Sequence, residues 1–230
     1  MNYHIHGNMT PMIEIKLAQG EPIYSQCGSM QWMDDDVEMK SSKEGSFLEN
    51  VKRLFAEDGK IYTDCYTSER SGARLVLGHA HSGRIKVFDI GDKGLVCQKR
   101  LFLCATSGIQ YGVRLIEKNG MTFFGSEGYV LNEFVGLGKV IIQMDGDCVE
   151  RELTEGESVK VDPGSIGVFE ETVKIKKQEL KGVPRLFRGE GGSKHLYVLT
   201  GPGKIWLQST PIQGLAKELH KYLPARPDPR

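Results

Sequence analysis

Two histidines separated by one residue, His79 and His81, are the residues whose types and spacing most resemble a reactive site. Imidazoles at positions i and i+2 share one face of a strand, where they can chelate a transition metal. A carboxylate three or four residues later would complete such a site, but Arg84 and Ile85 stand there. We therefore interpret both histidines as solvated loop residues. We predict no catalytic residue, no metal and no cofactor, and His79 and His81 are the candidates if a metal binds.

Acidic residues form two further groups. Glu21 and Glu157 each follow a glycine at the start of a strand. A carboxylate in that position more often accepts backbone N–H groups of a turn than performs acid–base catalysis. Residues 34–36, three consecutive aspartates, lack the spacing of a calcium-binding loop and are interpreted as a solvated hairpin loop.

Composition narrows the class of protein. Thirty basic residues balance thirty acidic ones in 230 residues, which argues against nucleic acid as a partner. Five cysteines, an odd number with no C-x-x-C pair, are typical of reduced thiols in the cytoplasm. No apolar stretch approaches the ~20 residues of a transmembrane helix, so none is expected.

An internal repeat determines the elements that must position these residues. Residues 17–40 align without a gap with residues 153–176, at an offset of 136 and with seven identities that include Gly28/Gly164. Two shorter blocks follow in the same order: residues 51–59 with 183–191, and Gly83–Ile85 with Gly203–Ile205. Three ordered blocks predict a duplication.

The repeated segments alternate apolar and polar residues in short runs separated by Gly, Asp and Pro, a pattern that predicts antiparallel strands. We predict an all-β fold, a duplicated double-stranded β-helix of two related sandwich-like halves with short helical insertions. The first β half spans 1–110, with a helical insertion at about 46–57 that begins at a capping box. The second β half spans 111–210, and 211–230 form a C-terminal helix, marked by Leu215 and Leu219, with a frayed tail.

These ordered blocks carry a family resemblance. The run L-x-x-G-E at 17–21, G-S-M at 28–30, the R-L-F blocks and G-P-G-K-I-W-L-Q-S at 201–209 resemble the altered-inheritance-of-mitochondria protein family, in its bacterial and archaeal branch, over residues 3–210. The resemblance implies a fold similar to that of the tryptophan RNA-binding attenuation protein and assembly into trimers. It also implies a scaffold or assembly role, because the mitochondrial relatives are linked to organelle organisation and inner-membrane complexes. It brings no catalytic residue.

Strand edges give a physical reason to expect assembly. The apolar runs VIIQM (140–144) and LYVL (196–199) contain few of the lysines that discourage edge pairing, and closing a ring removes open edges. With the number of chains that the family resemblance implies, we predict a homotrimer with six related half-units around its axis.

The function predicted from the sequence is a non-catalytic oligomeric scaffold that binds protein or membrane-associated partners. One alternative is a cupin-like metal-dependent enzyme that uses His79 and His81. Another is an RNA-binding protein, which rests on analogy of fold alone.

Overall fold

The computed structural model describes residues 1–41, 63–91, 93–116, 129–180 and 195–223. Within these ranges nearly all regular secondary structure is antiparallel β-strand, which confirms the all-β prediction. The predicted insertion at 46–57 and the blocks 51–59 and 183–191 lie outside them. The elements are β1 (Asn2–His6), β2 (Met12–Lys16), β3 (Ile23–Gln26), β4 (Met30–Met33), β5 (Glu38–Ser41), β6 (Thr63–Thr67), β7 (Arg74–Leu77), β8 (Gly83–Ile90), β9 (Leu95–Gln98), β10 (Phe102–Thr106), β11 (Ile109–Ile116), β12 (Tyr129–Gly136), β13 (Gly138–Asp145), β14 (Cys148–Leu153), β15 (Ser158–Val161), β16 (Ile166–Glu170), β17 (Lys174–Glu179), β18 (His195–Thr200), β19 (Gly203–Gln208) and α1 (Ile212–His220).

One pairing pattern recurs three times along the described strands. In β2–β7, the sixth strand pairs with the first and third, and the fifth pairs with the second and fourth. Strands β8–β13 repeat this pattern, and so do β14–β19. Each set therefore makes two small antiparallel sheets. We call the three sets the first, second and third unit.

The register of pairing agrees as well as the order. The third and sixth strands of every unit are joined through a bulge at the same place. The bulges of the first and third units differ by 136 positions, the offset found between residues 17–40 and 153–176. They lie between Met30 and Trp32, between Phe102 and Cys104, and between Ile166 and Val168.

Two sequence expectations differ from this arrangement. Gly203–Ile205 lies in β19, whose counterpart is β7, because Ile205 pairs with β16 in the register that Leu75 uses with β4. Gly83 instead begins β8, the first strand of the second unit. A boundary between residues 110 and 111 would fall inside β11, so it would divide the second unit.

The second unit escaped the sequence comparison because its turns differ. Leu17 and Leu153 precede a turn in which Gly20 and Gly156 adopt positive φ, 70° and 78°. The corresponding turn after Ile90 is one residue shorter. A shorter turn needs no glycine at that position, so the motif that relates the outer units is missing from the middle one.

Each unit has its own hydrophobic core, and neighbouring units share strands between cores. Alternate residues of β13 face opposite sides: Ile141 packs in the first core, whereas Val140 and Ile142 pack in the second. A strand buried on both faces has a continuous apolar sequence. The run 140–144 is therefore the interior of a six-stranded sheet, and the run 196–199 lies in the central strand of another sheet, so the prediction that they are open edges is wrong.

Adjacent units are joined by one strand pair each. β3 of the first unit pairs with β10 of the second, and β9 of the second pairs with β16 of the third. In both junctions the second strand of one unit pairs with the third strand of the next unit. A further junction would therefore pair β15, the second strand of the third unit, with β4, the third strand of the first unit. Among the described strands, β4 pairs with β7 alone and β15 with β18 alone, so each end of the chain retains half of a junction.

The helix α1 follows the last strand of the third unit. Its apolar residues Leu215 and Leu219 are 44% and 53% exposed. No helix in the described ranges has the length and apolar character needed to cross a bilayer.

Candidate functional site

The segments that leave the three units converge on one polar cluster. His79 and His81 lie between β7 and β8, and Asp145 ends β13. Arg100 lies in a 3₁₀ turn at Lys99–Leu101, and the backbone N–H of Ile212 begins α1. We call these five groups the Asp145 cluster.

Asp145 is the centre of the cluster. Its side chain is 1% exposed and forms an ion pair with the Arg100 guanidinium, whose Nη1 lies 3.2 Å from Oδ1. Oδ2 also accepts the backbone N–H of Ile212 at 2.9 Å. Because Pro211, the N-cap residue of α1, has no side-chain oxygen, Asp145 supplies the acceptor that a capping residue would give. The carboxylate therefore fastens α1 to the second unit.

His79 is a partly enclosed neutral imidazole and not a solvated loop residue. Burial lowers its pKa to about 4, and the electrostatic influence of His81 and Arg100 acts in the same direction. Its Nε2 is buried and has no hydrogen-bond partner among the described residues. Its backbone N–H donates to Gln143 Oε1 at 2.9 Å, so the segment is held against β13.

His81 lies between His79 and the carboxylate. The two imidazole rings are stacked with centroids 5.3 Å apart, and Nδ1 of His81 lies 3.6 Å from Asp145 Oδ1. The structure thus brings together both sequence candidates but adds an arginine to them. In the described part of the chain, no three His, Cys, Asp or Glu side chains are grouped as metal ligands.

Three of the acidic candidates, Glu157, Asp34 and Asp36, take part in turns and ion pairs. Glu157 accepts the backbone N–H of Thr154 at 3.0 Å, which lowers its pKa, with Arg151 as a second donor. This confirms the turn role predicted for that residue. Asp34 accepts the backbone N–H of Arg74 at 3.0 Å, which likewise lowers its pKa. Asp34 and Asp36 both accept from Arg70.

A second charged group joins the second and third units. Glu150 on β14 binds Lys86 on β8, and this contact lowers the glutamate pKa to about 2. Trp206 Nε1 donates to the same carboxylate at 2.7 Å, and its ring packs edge-on against Phe88 with centroids 4.9 Å apart. These groups are occupied in holding two units together.

The two half-junctions form a different kind of candidate site. On β4, the Trp32 side chain is 41% exposed, with the Arg74 guanidinium 5.4 Å from its ring centre. On β15, Val161 is part of the third core and Lys160 is exposed. These strands present backbone N–H and C=O groups as well as side chains, which is the chemistry of strand pairing.

Sequence reasoning missed Arg100, Asp145 and Trp32. Counting along the second unit places Arg100 where the repeat has Gly28 and Gly164, but that unit was not recognised. Asp145 has a partial signal in the sequence, because it is an acidic residue at the end of the mostly apolar strand β13. Trp32 has no distinguishing signal in the sequence, because an aromatic residue in a strand is usually buried.

Comparison with known proteins gives three concordant findings. The model of the family described as mitochondrial biogenesis AIM24 matches residues 3–210. The protein M6_Spy0233 of Streptococcus pyogenes serotype M6 is 23% identical over 221 residues, covering 93% of this chain and 87% of that protein. The crystal structure of protein SPYM3_0169 from Streptococcus pyogenes is similar with a TM-score of 0.76 at 20% identity, covering 96% of this chain and 99% of that chain. The last finding shows similarity of fold.

Proposed function

Because the chain belongs to the family described as mitochondrial biogenesis AIM24, we propose that it is a non-catalytic scaffold that assembles from copies of itself and binds partner proteins. The observation that supports this is the pair of half-junctions at the two ends of the three-unit chain. A protein that makes the same junction twice inside each chain has the parts needed to make it again between chains. Such head-to-tail contacts are heterologous, and they close into a ring when the rotation allows.

We propose a ring of three chains, the number that the family resemblance implies. With three units in each chain, the ring would hold nine units in place of the six half-units predicted from the sequence. Common descent of the three units by repeated duplication is part of this proposal, and their matching bulges support it.

Light scattering coupled to size exclusion tests the assembly. Three chains of 25.6 kDa give about 77 kDa. A single species at the mass of one chain, at micromolar concentration and moderate salt, would contradict the scaffold proposal. Affinity purification from native cells followed by mass spectrometry would then identify the proteins that the ring binds.

The proposal places the protein in the cytoplasm, and the lack of disulfides at four cysteines of the described residues supports this. Cys65, Cys97, Cys104 and Cys148 form no disulfide, and Cys97 and Cys104 are buried. Burial raises the pKa of both thiols well above its usual range, so they are poor nucleophiles and unreactive toward oxidants.

The alternative functions have direct tests. Stoichiometric iron, zinc or manganese in protein purified without an affinity tag would favour a metal enzyme at His79 and His81. Salt-dependent binding of labelled RNA in a polarisation assay would favour an RNA-binding protein. The Asp145 cluster supports neither, because its carboxylate is already bound to an arginine and to the start of α1.

A further inference from the structure

We propose that β4 of one copy pairs antiparallel with β15 of a second copy, in the register that the two internal junctions use. The inference rests on the proposed self-assembly and names the surface that performs it.

The two internal junctions are identical in register. In the first, Ser25 pairs with Cys104 and the preceding residue of β3 pairs with Ala105. In the second, Cys97 pairs with Val168 and the preceding residue of β9 pairs with Phe169. Counting along β15 and β4 from the same bulge gives the register between copies, namely Val161 opposite Trp32, Lys160 opposite Met33 and Val159 opposite Asp34.

The exposure of equivalent residues differs between the two junctions formed inside the chain and the proposed junction between copies. Cys104 and Val168, the counterparts of Trp32, are 0% exposed, and each packs in the core of the preceding unit. Trp32 is 41% exposed, and Val161, its expected partner, already belongs to the third core. Pairing would place the indole beside that core, where its apolar surface is removed from water.

The composition of the outer strands favours β4 as the pairing edge. Sheet edges that stay unpaired usually carry charged side chains. The other outer strands of the described sheets all contain an ionisable residue, namely histidine in β1 and lysine, arginine or glutamate in β5, β8, β11, β14, β15 and β17. Strand β4 reads MQWM and contains none. A second copy of this chain fits the edge because β15 continues the series formed by β3 and β9.

A charge placed on β4 tests the surface. Trp32→Lys should give a folded chain that elutes at 25.6 kDa in place of about 77 kDa, because a lysine cannot enter the third core. Met39→Lys is the matched control, since Met39 is 46% exposed on β5, another outer strand, and should leave the mass unchanged. Circular dichroism confirms folding of both. A Trp32→Lys variant that keeps the full mass would overturn the inference.

Cysteine cross-linking tests the register without relying on dissociation. Residues opposite each other in antiparallel strands have Cα atoms about 4.5–5.5 Å apart, within reach of a disulfide. A chain with Met33→Cys and Lys160→Cys should form linked dimers and trimers on mild oxidation, resolved on a non-reducing gel. A chain with Met33→Cys and Ser158→Cys, displaced by two residues, should not.

The outcomes separate this inference from the proposed function. If the wild-type protein forms a ring but neither cysteine pair links, or only the displaced pair does, the proposed register is overturned. The proposed self-assembly would then remain, with a different strand edge as the contact between copies. Wild-type protein that is monomeric overturns both.

Discussion

Asp145 is a buried carboxylate whose charge is balanced by Arg100 and by the first N–H of α1. Removing one partner of a buried ion pair leaves the other charge uncompensated, which costs more than the pair itself contributes. Arg100 keeps 25% of its side-chain surface in water, so part of its charge can be solvated after such a change. Asp145 should therefore contribute more to the free energy of unfolding than an exposed aspartate does.

We expect Asp145→Asn to lower the free energy of unfolding by about 2–4 kcal/mol in denaturant titrations. The matched control is Asp147→Asn, two residues away, whose side chain is 75% exposed and bound to Arg84. That exposed pair should contribute less than about 1 kcal/mol. Equal losses in the two variants would contradict the role assigned to Asp145.

His79 should make stability depend on pH. Its pKa in the folded chain, about 4, lies below the ordinary value of 6.5. His81 and Arg100 face it, and Asp145 lies beyond His81. Below pH 6.5 the unfolded chain binds a proton that the folded chain refuses, so stability falls as the pH decreases from 6.5 to about 4 and no further below that.

Between pH 7 and pH 5 this group should cost about 1–2 kcal/mol of unfolding free energy. Urea titrations at both pH values should show a smaller loss for His79→Gln than for wild type. His6→Gln, at a residue with a 44% exposed side chain, should behave as wild type. An unchanged pH dependence in His79→Gln would show that His79 titrates normally.

At the scale of single residues, the sequence identified candidate side chains but not the distant side chains that contact them. His79 and His81 were recognised as neighbours because two positions in one segment must lie close together. The arginine and the aspartate beside them both belong to the second unit, at positions 19 or more residues farther along the chain, and only the fold brings them near. The turn role of Glu157 was predicted correctly, since its partner Thr154 is three residues away.

Among the elements, the turns before β4 and β16 contain glycine at the same position of the repeat for two different physical reasons. Gly28 adopts a φ of +81°, with open space where a Cβ would lie. Gly164 lies in a 3₁₀ turn, and a Cβ there would be 2.9 Å from Cγ of Pro211. The repeat aligns these two glycines as identical residues, but backbone conformation requires the first glycine and close packing requires the second.

The two glycines should therefore respond differently to alanine. Gly28→Ala should lower the unfolding free energy by about 1–2 kcal/mol through backbone strain and leave α1 unchanged. Gly164→Ala should displace Pro211 and raise hydrogen exchange across Ile212–His220. Mass-spectrometric hydrogen exchange measures both regions in each variant. Faster exchange of α1 in Gly28→Ala would contradict this distinction.

The repeat illustrates how much of the architecture was predictable. Local alternation and turn glycines revealed the β class and related the first unit to the third. The second unit keeps the pairing pattern with a shortened turn and with Arg100 in place of the glycine, so its relation to the others lies in hydrogen bonding and not in residue identity. The prediction of open strand edges failed for the same reason. An apolar run indicates that its side chains are buried, but it does not indicate whether the backbone edge of that strand pairs with another strand.

For the whole molecule, the two tryptophans should report assembly separately. Trp206 is 6% exposed within the chain, whereas Trp32 is 41% exposed and becomes buried only if copies pair. Dilution below the assembly concentration should therefore shift the emission to longer wavelength as the Trp32 indole enters water. Trp32→Phe should abolish the shift and Trp206→Phe should keep it. A shift that persists in Trp32→Phe would place the change elsewhere.

The helix α1, whose first N–H is bound by Asp145, would be present three times in a ring of three chains. Rotational symmetry would direct all three helices to the same rim, each with Leu215 and Leu219 exposed. A target with repeated docking sites would meet them together, and once the first helix is bound the second binds at a high effective concentration. Avidity of this kind makes weak single contacts sufficient, so releasing α1 from the body by Asp145→Asn would weaken attachment to an array far more than attachment to an isolated site.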